Sequence, residues 1–411
     1  MAKNRVVITG IGIVAPLGIG KTAFWDSLLE GRIAVDTITR FDASDFPSQI
    51  AAQVDDFDAS RFMNRRRLQW TDRFSQLAVA GALLALEDAE LDPRGRSDVG
   101  VYTGSALGGL AFAEEQIGVF HREGLRAVRP LLTISAFGGA AASNIAIEFG
   151  LHGPTIANAN SCAAGAIAIG EAVHAIRNGT VTAAIAGGVE APLAPLTFGA
   201  FTVARAMSTR NGDPQSASRP FDRDRDGFVM AEGSGFLVLE RYEDAERRGA
   251  RIYAEISGFG TSNDAFHMAA PLAGGEQVAG AMRAALDDAS VMPGEIEAIN
   301  AHGSSTPAGD RAELRAYEHA FGERAHRIPV CATKGQHAHA LGATGAWEAA
   351  ISALSILEGR IPGNANFVRA DDGCEIACST GTVDVRARTV LSNSSGFGGI
   401  NAALVLQSVS S

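Results

Sequence analysis

The sequence predicts an α/β fold in which helices pack on the faces of β-sheets. Short runs of β-branched and apolar residues alternate with longer segments whose apolar residues recur at helical spacing. The chain has 47 glycines and only 7% aromatic residues, which favours close packing of helices on sheets with many tight turns. The 411 residues include no long Pro/Ser-rich linker and no block of like charge. We therefore expect two closely packed lobes rather than separated domains.

The alternation predicts strands and helices at defined places in the chain. Buried strands are expected at 5–9, 98–103, 155–159, 181–187, 235–240, 252–257, 296–301, 328–333 and 402–407. Helices are expected at 73–89, 163–178, 276–290, 310–322 and 345–358. The stretch 105–135 is more polar and less periodic, and we interpret it as an insertion rather than part of a layer.

Two helical segments resemble each other, which indicates an internal repeat. Residues 165–179 and 345–359 both begin with Gly-Ala, carry an Ile at the same later place and close on a Gly, where a helix C-cap is expected. Each follows a segment with a reactive side chain, Cys162 in one and His339 in the other. We interpret this as a duplicated α/β half with a reactive group near each helix start.

Composition and charge exclude several classes of partner. A net charge of −11 argues against nucleic acid, because phosphate binding needs a basic surface. No run of 18 apolar residues occurs, so no membrane span is expected. The first residues lead directly into a strand-like segment, which predicts no secretory signal. The four cysteines (162, 331, 374 and 378) form neither a disulfide framework nor a zinc pair, which favours a reducing cytoplasm.

Cys162 is the candidate nucleophile. It lies between the strand expected at 155–159 and a helix expected to begin at Ala163. A thiolate at a helix N-terminus is stabilised by the macrodipole and by unpaired N–H groups, so we expect a lowered thiol pKa. A buried structural cysteine is the alternative that spacing alone favours. The small residues that follow Cys162 favour the nucleophile, because they leave its backbone open to a substrate carbonyl.

Two histidines and a glycine-rich turn have positions that suit acyl chemistry. His302 follows the strand at 296–301, and His339 precedes the helix at 345–358. Histidines at such junctions suit proton transfer or oxyanion stabilisation, although a lone histidine is more often structural. The Gly-Phe-Gly-Gly turn at 396–399 can bring a backbone N–H close to a substrate.

Three patterns resemble nucleotide or calcium motifs but fail in detail. Residues 10–15 imitate a dinucleotide fingerprint, yet Pro16-Leu17-Gly18 delays the helix that should hold the pyrophosphate. Residues 15–22 lack the first glycine of a P-loop. Residues 222–227 copy the start of a calcium loop, but its twelfth position is Gly233 rather than an acid. We expect no bound nucleotide or calcium.

The sequence does not predict a zinc site. His337, His339 and His302 could be imagined as ligands, but no carboxylate or cysteine stands at a typical ligand spacing beside them. Zinc would also quench the Cys162 nucleophile. No metal is expected.

In combination, these motifs carry a family resemblance. Cys162 in Ala-Asn-Ser-Cys-Ala-Ala-Gly (159–165), His302 in Asn-Ala-His-Gly-Ser-Ser-Thr (300–306), Lys334 and His339 in Lys-Gly-Gln-His-Ala-His (334–339) and Phe397 are ordered as in one family. The chain resembles the elongating, type II β-ketoacyl-acyl carrier protein synthases from residue 5 to about residue 408. The resemblance implies a thiolase-like fold, with duplicated α/β halves in five layers (α-β-α-β-α). The N-terminal half, 1–250, would carry Cys162 and a cap insertion near 105–135, and the C-terminal half, 251–411, the two catalytic histidines.

The resemblance implies an acyltransferase and a role for each matching residue. Cys162 would carry the acyl group, His302 and His339 would assist decarboxylation and stabilise the enolate, and the N–H groups of Cys162 and Phe397 would form the oxyanion hole. Lys334 would fix the electrostatics of the site, supported by Asp310 and Glu313, with Glu313 as its counter-ion. The reaction would be a decarboxylative Claisen condensation of the acyl thioester with malonyl-acyl carrier protein.

Substrate and partner residues are implied in the same way. No bound cofactor is expected, because the phosphopantetheine arm arrives on the carrier protein. Its amides would bind Ser304 and Thr306, and the acyl pocket would be bordered by Leu107, Phe201 and Thr202. The acidic carrier would dock on Arg65, Arg66, Arg67 and Arg205, with a solvated helix face as the alternative for the triplet. A homodimer or a heterodimer with a chain-length-factor-like subunit is expected.

Two departures from the family pattern bear on substrate. The family usually reads Asn-Ser-Phe-Gly-Phe-Gly-Gly-Thr-Asn where this chain reads Asn-Ser-Ser-Gly-Phe-Gly-Gly-Ile-Asn (393–401), so Ser395 replaces a bulky residue. It also reads Lys-Ser-Met-Thr-Gly-His where this chain has Lys-Gly-Gln-His-Ala-His (334–339). We expect both changes to alter the entrance and polarity of the site, which favours a specialised polyketide or polyene synthase.

The sequence alone leaves three other functions open. They are a housekeeping fatty-acid elongation synthase, a thiolase-type coenzyme A acyltransferase and a non-catalytic partner subunit. Cys374 and Cys378 match a thiolase poorly, and retention of Cys162 argues against a non-catalytic subunit. Acyl chain length, unsaturation and the identity of the carrier stay undetermined.

Overall fold

The structure is a computed structural model that describes residues 4–409. The outermost residues of the two predicted halves, 1–3 and 410–411, lie outside the described residues. The strands are β1 (Val6–Ala15), β2 (Gly18–Ile19), β3 (Asp36–Thr37), β4 (Ile50–Ala52), β5 (Val99–Gly104), β6 (Thr155–Asn158), β7 (Ala183–Glu190), β8 (Met230–Ala231), β9 (Gly233–Arg241), β10 (Ala254–Asn263), β11 (Ala298–Asn300), β12 (Pro329–Cys331), β13 (Arg360–Ile361), β14 (Ala377–Cys378), β15 (Val383–Asp384), β16 (Thr389–Gly396) and β17 (Ile400–Gln407).

The helices lie between these strands, so the predicted α/β class is confirmed. They are α1 (Lys21–Leu29), α2 (Arg65–Leu68), α3 (Arg73–Ala89), α4 (Leu110–Glu123), α5 (Leu132–Ser135), α6 (Ala140–Phe149), α7 (Ala164–Arg177), α8 (Pro195–Val203), α9 (Tyr242–Arg247), α10 (Glu276–Ala289), α11 (Pro307–Phe321), α12 (Lys334–His337) and α13 (Thr344–Glu358). Every strand and helix expected from the sequence is present, with bounds shifted by a few residues. None of the described helices is long and apolar enough to span a bilayer.

The strand order shows that the fold is duplicated. The main sheet runs β6-β5-β7-β9-β1 and continues β10-β17-β16-β11-β12-β14. In each half the first strand (β1 or β10) pairs antiparallel with the last (β9 or β17), and the last strand pairs antiparallel with β7 or β16 on its other side. The pairs farther out along this order, β7-β5 and β5-β6 in one half and β16-β11, β11-β12 and β12-β14 in the other, are parallel. The two halves join through a short antiparallel pairing of β1 with β10.

Helices cover both sheet halves and also lie between them, giving the five predicted layers. α3 and α6 pack on the outer face of the N-terminal half, and α10 packs on the outer face of the C-terminal half beside α11. α7 and α13 contact each other and strands of both halves. A large apolar core therefore surrounds these two central helices, with Trp347 of α13 fully buried in it.

Paired glycines let the outer helices approach the first strand of each half closely. A Cβ added at Gly10 in β1 would lie 2.1 Å from the carbonyl oxygen of Ala85, and one at Gly258 in β10 would lie 2.1 Å from that of Ala285. Both strands have a register shift just before this glycine. The Gly-Ile-Gly sequence that imitates a nucleotide fingerprint thus serves helix-on-strand packing.

The central helices cross at the glycines that open the sequence repeat. A Cβ at Gly165 would lie 2.7 Å from the carbonyl oxygen of Gly342, and one at Gly345 would lie 2.8 Å from the amide nitrogen of Ala166. The shared Gly-Ala openings therefore let the N-terminal ends of α7 and α13 meet. This contact brings together the two segments that precede the helices.

The stretch 105–135 lies outside the sheet, as expected of an insertion, but it holds the unpredicted 14-residue helix α4. α4 packs on α8 and α5. Glu114 of α4 accepts hydrogen bonds from the N–H groups of Leu196 and Thr197, at 2.6 and 2.8 Å, and so fixes the insertion to the start of α8.

Candidate active site

Cys162 lies on a tight turn between β6 and α7. A 3₁₀ turn spans Ser161–Ala163, and Ser161 before the thiol has a φ of 51°, a left-handed conformation that is uncommon for serine. The α-helix begins at Ala164, one residue later than predicted. The thiol therefore sits at the N-terminal end of α7 with part of its surface free.

A matching turn precedes α13. It spans Leu341–Ala343, and Leu341 has a φ of 44°, like Ser161 in the other half. Counted back from the glycines that begin the repeat, Gly342 is the counterpart of Cys162. The two turns contact each other, so the duplication itself brings the His339 segment beside the nucleophile turn.

A cleft of about 780 Å³, measured out to its mouth, opens at this junction. Cys162, His302 and His339 all line it, so the three predicted reactive groups meet in one site. Its walls are mostly apolar, with aromatic rings from Phe201, Phe228 and Phe397. An apolar cleft with few polar groups suits a ligand that is long and mainly uncharged.

His302 is held by its backbone. It follows β11, and the Glu313 carboxylate accepts the N–H groups of His302 and Gly303 at 2.7 and 2.8 Å. Lys334 donates from Nζ to the His302 carbonyl. These contacts fix the loop after β11 and present the imidazole to the cleft.

Lys334 is fully buried and paired with Glu348 of α13. The prediction that Glu313 is its counter-ion is wrong. Glu313 uses its oxygens on the loop after β11 and also accepts from Tyr317 Oη and Asn393 Nδ2, each at 2.7 Å. Glu348 is a carboxylate within the mainly apolar body of α13, whose other acid, Glu358, is its last residue; this signal in the sequence could have identified Glu348 as the partner of a buried cation.

Asp310 supports the loop that carries Ser304. Its carboxylate accepts the Phe221 N–H at 2.7 Å and the Ser304 hydroxyl at 3.2 Å, and Arg225 lies 3.5 Å away. Burial raises the pKa of Asp310 to about 7, although Arg225 acts in the opposite direction. Asp310 is thus a structural support of the cleft wall.

His339 is fixed from two sides. Its backbone bonds to Val229 and Ala231, and its Nδ1 lies 3.2 Å from Thr344 Oγ1. The ring contacts Phe228 and stands nearly perpendicular to His302, with 5.4 Å between the ring centroids. The two imidazoles can therefore reach the same substrate atom from different directions.

Both cleft histidines are neutral at physiological pH. Burial lowers the pKa of His302 and of His339 well below 6.5, and the charge of Lys334 lowers both further. A neutral imidazole still has one N–H to donate. The pair therefore suits hydrogen bonding to a developing enolate rather than simple acid catalysis.

The thiol pKa contradicts the expectation of a helix-stabilised thiolate. Burial raises the pKa of Cys162 to about 12, while the charge of Lys334 and a hydrogen bond from the Phe397 N–H act to lower it. Loss of solvation outweighs the favourable helix end, because a thiolate needs more stabilisation than the apolar cleft provides. The resting nucleophile is thus a thiol whose proton leaves during acyl transfer.

Phe397 contributes both its backbone and its ring. Its N–H faces the Cys162 sulfur, and its ring stacks on Phe201 with 6.0 Å between centroids. A Cβ added at neighbouring Gly396 would lie 2.9 Å from the Cys162 amide nitrogen. Glycine at 396 therefore keeps the space beside that N–H open for a substrate oxygen.

The predicted substrate residues differ in how close they lie to the cleft. Ser304, Thr306, Phe201 and Ser395 line it. Leu107 packs in the same apolar cluster as Cys162 but does not line the cleft. Thr202 also does not line it, and its buried hydroxyl donates to the Gly199 carbonyl at 2.8 Å.

The expectation that residues 335–338 alter the entrance is wrong. Gln336 donates to the Leu28 carbonyl at 2.8 Å, and His337 packs against Phe24 and Trp347. Neither side chain lines the cleft, because the short helix α12 directs them toward α1 and the central core. Of the two departures from the family pattern, only Ser395 lies at the site.

The four predicted docking arginines are not equivalent. Arg67 bonds to Glu148 at 3.0 Å and Asn144 at 2.8 Å, so its guanidinium already joins α2 to α6. Arg65, Arg66 and Arg205 are exposed.

Within the described chain no group of three or more His, Cys, Asp or Glu side chains is placed to hold a metal ion. Neither Cys374 nor Cys378 lines the cleft, which speaks against the thiolase reading.

Family models agree with this geometry. Residues 3–245 match the N-terminal domain of beta-ketoacyl synthases, and residues 253–368 match their C-terminal domain. The chain belongs to the β-ketoacyl synthase family. It is therefore a condensing acyltransferase.

Individual relatives are similar along their whole length. The chain is 42% identical to 3-oxoacyl-[acyl-carrier-protein] synthase 2 of Coxiella burnetii over 412 residues, covering all of both chains. It is 40% identical to the synthase of the same name from Synechocystis over 414 residues, covering 99% of each.

Solved structures of ketosynthases have the same fold. A type II polyketide acyl carrier protein complexed with its ketosynthase bound to the hexaketide matches with a TM-score of 0.92 at 33% identity over all of both chains. The ishigamide ketosynthase/chain length factor also gives a TM-score of 0.92, at 34% identity over all of both chains. A beta-ketoacyl synthase from Burkholderia phymatum gives 0.92 at 34% identity, covering 99% of this chain and 100% of that one.

Proposed function

We propose that the protein condenses an acyl group carried on Cys162 with malonyl-acyl carrier protein to give a β-ketoacyl carrier. The observation that carries the proposal is the meeting of Cys162, His302 and His339 in one apolar cleft, with the Phe397 N–H directed at the sulfur. The phosphopantetheine arm belongs to the carrier, so no resident cofactor is needed. Ser304 and Thr306 stand on the cleft wall, where they would bind its amides.

The first half-reaction moves the acyl group to the protein. The Cys162 sulfur attacks the thioester carbonyl carbon, and the oxyanion is held by the N–H groups of Cys162 and Phe397. When this intermediate collapses, the bond from carbon to the pantetheine sulfur breaks. The thiol proton of Cys162 leaves with the pantetheine sulfur as its new thiol.

The second half-reaction forms the carbon–carbon bond. A bound malonyl thioester loses CO₂, and its electrons form an enolate that accepts hydrogen bonds from neutral His302 and His339. The enolate carbon attacks the acyl carbon on Cys162, and the Cys162 sulfur leaves and takes up a proton. The product is a β-ketoacyl carrier two carbons longer than the starting acyl group.

Intact-mass measurement tests the covalent step. The protein is incubated with a panel of acyl carrier thioesters, and one carrier should raise its mass by one acyl group. Cys162→Ala should abolish the adduct, because no other cysteine lines the cleft. An adduct that persists in this variant would refute the assignment, and the preferred mass would identify the acyl group.

A specialised polyketide or polyene substrate is supported by Ser395. This small residue lines the cleft, and its hydroxyl has no hydrogen-bond partner within the described residues. A panel of saturated and unsaturated acyl carriers of equal length should show higher kcat/KM for the unsaturated ones. Ser395→Phe, which restores the bulky family residue, should remove that preference. Equal kcat/KM values in the wild type would instead support housekeeping fatty-acid elongation.

Carrier docking is assigned to the exposed arginines. Carrier proteins are acidic, so Arg65, Arg66 and Arg205 would attract them electrostatically, whereas Arg67 is already engaged. Arg66→Glu with Arg205→Glu should raise the apparent KM for loaded carrier while kcat stays near the wild-type value. An unchanged KM would refute this docking site.

Dimerisation is assigned to the edge of the sheet at β6. Thr155, Ile156 and Ala157 of this edge strand are exposed, and exposed edge strands readily pair with another chain. A second copy or a chain-length-factor-like subunit would cover this edge. One of the similar solved structures is described as a ketosynthase with a chain length factor, which supports the arrangement with a different subunit.

A further inference from the structure

Glu190, at the end of β7, is a buried carboxylate that the chemistry above does not use. It is fully buried and forms no ion pair with any cation in the described chain. Burial raises its pKa to about 7, so the charged form is only partly compensated by its hydrogen bonds. A buried carboxylate without a cation is unfavourable for stability, so its presence needs an explanation.

Its hydrogen bonds join two distant segments. On one side the carboxylate accepts the Ser105 hydroxyl at 3.0 Å, the Ala106 N–H at 2.7 Å and the Leu107 N–H at 3.1 Å. On the other side it accepts the Gly342 N–H at 3.0 Å. Both oxygens are therefore occupied, and the turn after β5 is bonded to the turn before α13.

Both segments form part of the surroundings of Cys162. Leu107 and Leu341, each next to a residue that Glu190 holds, pack in the apolar cluster that includes Cys162. Gly342 is closely enclosed, since a Cβ there would lie 2.7 Å from the Ala106 nitrogen and 2.8 Å from the carboxylate. Little room exists for these turns to move while the carboxylate is bound.

We propose that Glu190 is a positioning residue for acyl transfer, holding the Leu107 turn against the Leu341 turn, from which Leu341 forms part of the cleft wall beside Cys162. The assignment rests on the acyl transfer proposed above and extends it to a residue that touches no reacting atom. Small displacements of a wall that orients the acyl chain are sufficient to slow transfer. Glu190 also acts on Cys162 through its charge, which raises the thiol pKa.

Glu190→Gln tests both actions. Glutamine has one acceptor oxygen and one amide group, so two of the four donors lose their acceptor in either orientation. We expect acylation of Cys162, followed by intact mass in a single turnover, to slow by roughly ten- to a hundredfold. Loss of the negative charge should also shift the pH midpoint of Cys162 alkylation by iodoacetamide downward, by on the order of half a unit to one unit.

Other titratable groups near the thiol must stay constant in this comparison. Lys334 and Glu348 act on Cys162 electrostatically, and His302 and His339 line the same cleft. None of them is altered in Glu190→Gln. A matched control is Glu232→Gln, because Glu232 is equally buried but pairs with Arg40 and Arg73. It should lower the free energy of unfolding without moving the alkylation midpoint.

Ser105→Ala separates position from charge. It removes one donor to Glu190, together with the acceptor of the Gly108 N–H in the same turn, and leaves the carboxylate charged, so acylation should slow by a smaller factor while the alkylation midpoint stays in place. If Glu190→Gln does not fold, Ser105→Ala alone still tests whether the hydrogen bonds of Glu190 position the two turns for acyl transfer. Wild-type acylation rates in both variants, or in Ser105→Ala alone if only it folds, would overturn the proposal.

The experiment distinguishes failure of this inference from failure of the proposed function. If wild-type protein accepts no acyl group from any carrier, the proposed function is wrong. The iodoacetamide measurement uses no carrier and still reports whether Glu190 acts on the thiol. An unchanged midpoint in folded Glu190→Gln would contradict its electrostatic action.

Discussion

Lys334 is the residue whose charge reaches every reactive group of the cleft. It lowers the pKa of His302, of His339 and of Cys162, while its ammonium is held by Glu348 and the His302 carbonyl. The same charge therefore favours neutral imidazoles and a more acidic thiol. Its position inside the protein depends on a carboxylate that supplies the opposite charge nearby.

Removing Lys334 should affect stability and thiol acidity separately. Lys334→Met leaves Glu348 buried without its cation, which should lower the free energy of unfolding by about 3–5 kcal/mol. The double variant Lys334→Met with Glu348→Gln should recover most of that loss in chemical denaturation. Its Cys162 alkylation midpoint should still lie above that of the wild type, since Lys334 has a larger effect on the thiol than Glu348. A midpoint at or below the wild-type value would contradict this account.

His337 should make the protein sensitive to acid although it lies outside the cleft. Burial lowers its pKa to about 3, whereas an unfolded histidine titrates near 6.5. The unfolded chain therefore takes up a proton as pH falls below about 6.5, and the folded state does not until about pH 3. Stability from this residue is complete above pH 6.5 and is lost progressively below it.

His337→Asn measures this contribution. Wild-type protein should lose about 1.4 kcal/mol more unfolding free energy between pH 7.5 and 5.5 than the variant, by linkage at one site. Comparing the change between two pH values cancels the packing that the variant loses against Trp347. Equal losses in the two proteins would mean that the pKa of His337 is the same in the folded and unfolded states, which would contradict this account.

At the scale of elements, the sequence predicts helices and strands whose apolar residues recur at a clear spacing, and it misses elements without such a pattern. Strand β16 was not expected, because Ser392, Asn393 and Ser394 interrupt its apolar run although all three are buried. Asn393 donates to Glu313, whereas Ser394 lies on the opposite face of the strand, beside Gly345 of α13. Such partners come from distant segments and leave no local pattern.

The same reasoning separates the site residues. Cys162, His302 and His339 could be predicted because their motifs are local and the repeat relates two of them. The counter-ion of Lys334 could not, since Glu313 and Glu348 are both plausible in sequence and only tertiary packing selects Glu348. The prediction of a lowered pKa for Cys162 was wrong for a similar reason, because the burial of this thiol is decided by segments far away in the chain.

The close approach of α3 to β1 gives a prediction at this scale. Gly10→Ala would place a methyl 2.1 Å from the Ala85 carbonyl oxygen and 2.7 Å from the Ala89 Cβ, so α3 must move away from the strand. We expect a loss of about 3 kcal/mol in unfolding free energy. Gly212→Ala is the control, because a methyl there meets no atom within 4 Å. If Gly10→Ala changes stability no more than the control does, the packing account is wrong.

At the scale of the whole molecule, the catalytic cleft is a product of the duplication. Each half supplies one 3₁₀ turn before a central helix, and the turns meet where α7 and α13 cross. The N-terminal half contributes Cys162, while the C-terminal half contributes His302, His339 and Phe397. Neither half holds a complete site, so the chemistry depends on the packing of the two.

The edge of the sheet leads to the last expectation, which concerns assembly. Ile156 of β6 is 48% exposed, and β6 lies at the end of the N-terminal sheet half next to the nucleophile turn. Pairing of two β6 strands across a twofold axis would continue the sheet through both subunits and cover this apolar side chain. Wild-type protein should therefore sediment as a dimer at micromolar concentration.

Ala157→Pro should give a monomer, because in the parallel register with β5 the Ala157 N–H faces the open edge and proline removes this donor. Met292→Lys is the control, since Met292 is also exposed, at 68%, but lies in the C-terminal half. It should remain a dimer. A monomeric wild type would exclude the homodimer and favour a different subunit on β6, whereas an Ala157→Pro protein that stays dimeric would place the interface elsewhere. Because Cys162 follows β6 by only a few residues, the monomeric variant should also acylate more slowly in the intact-mass assay.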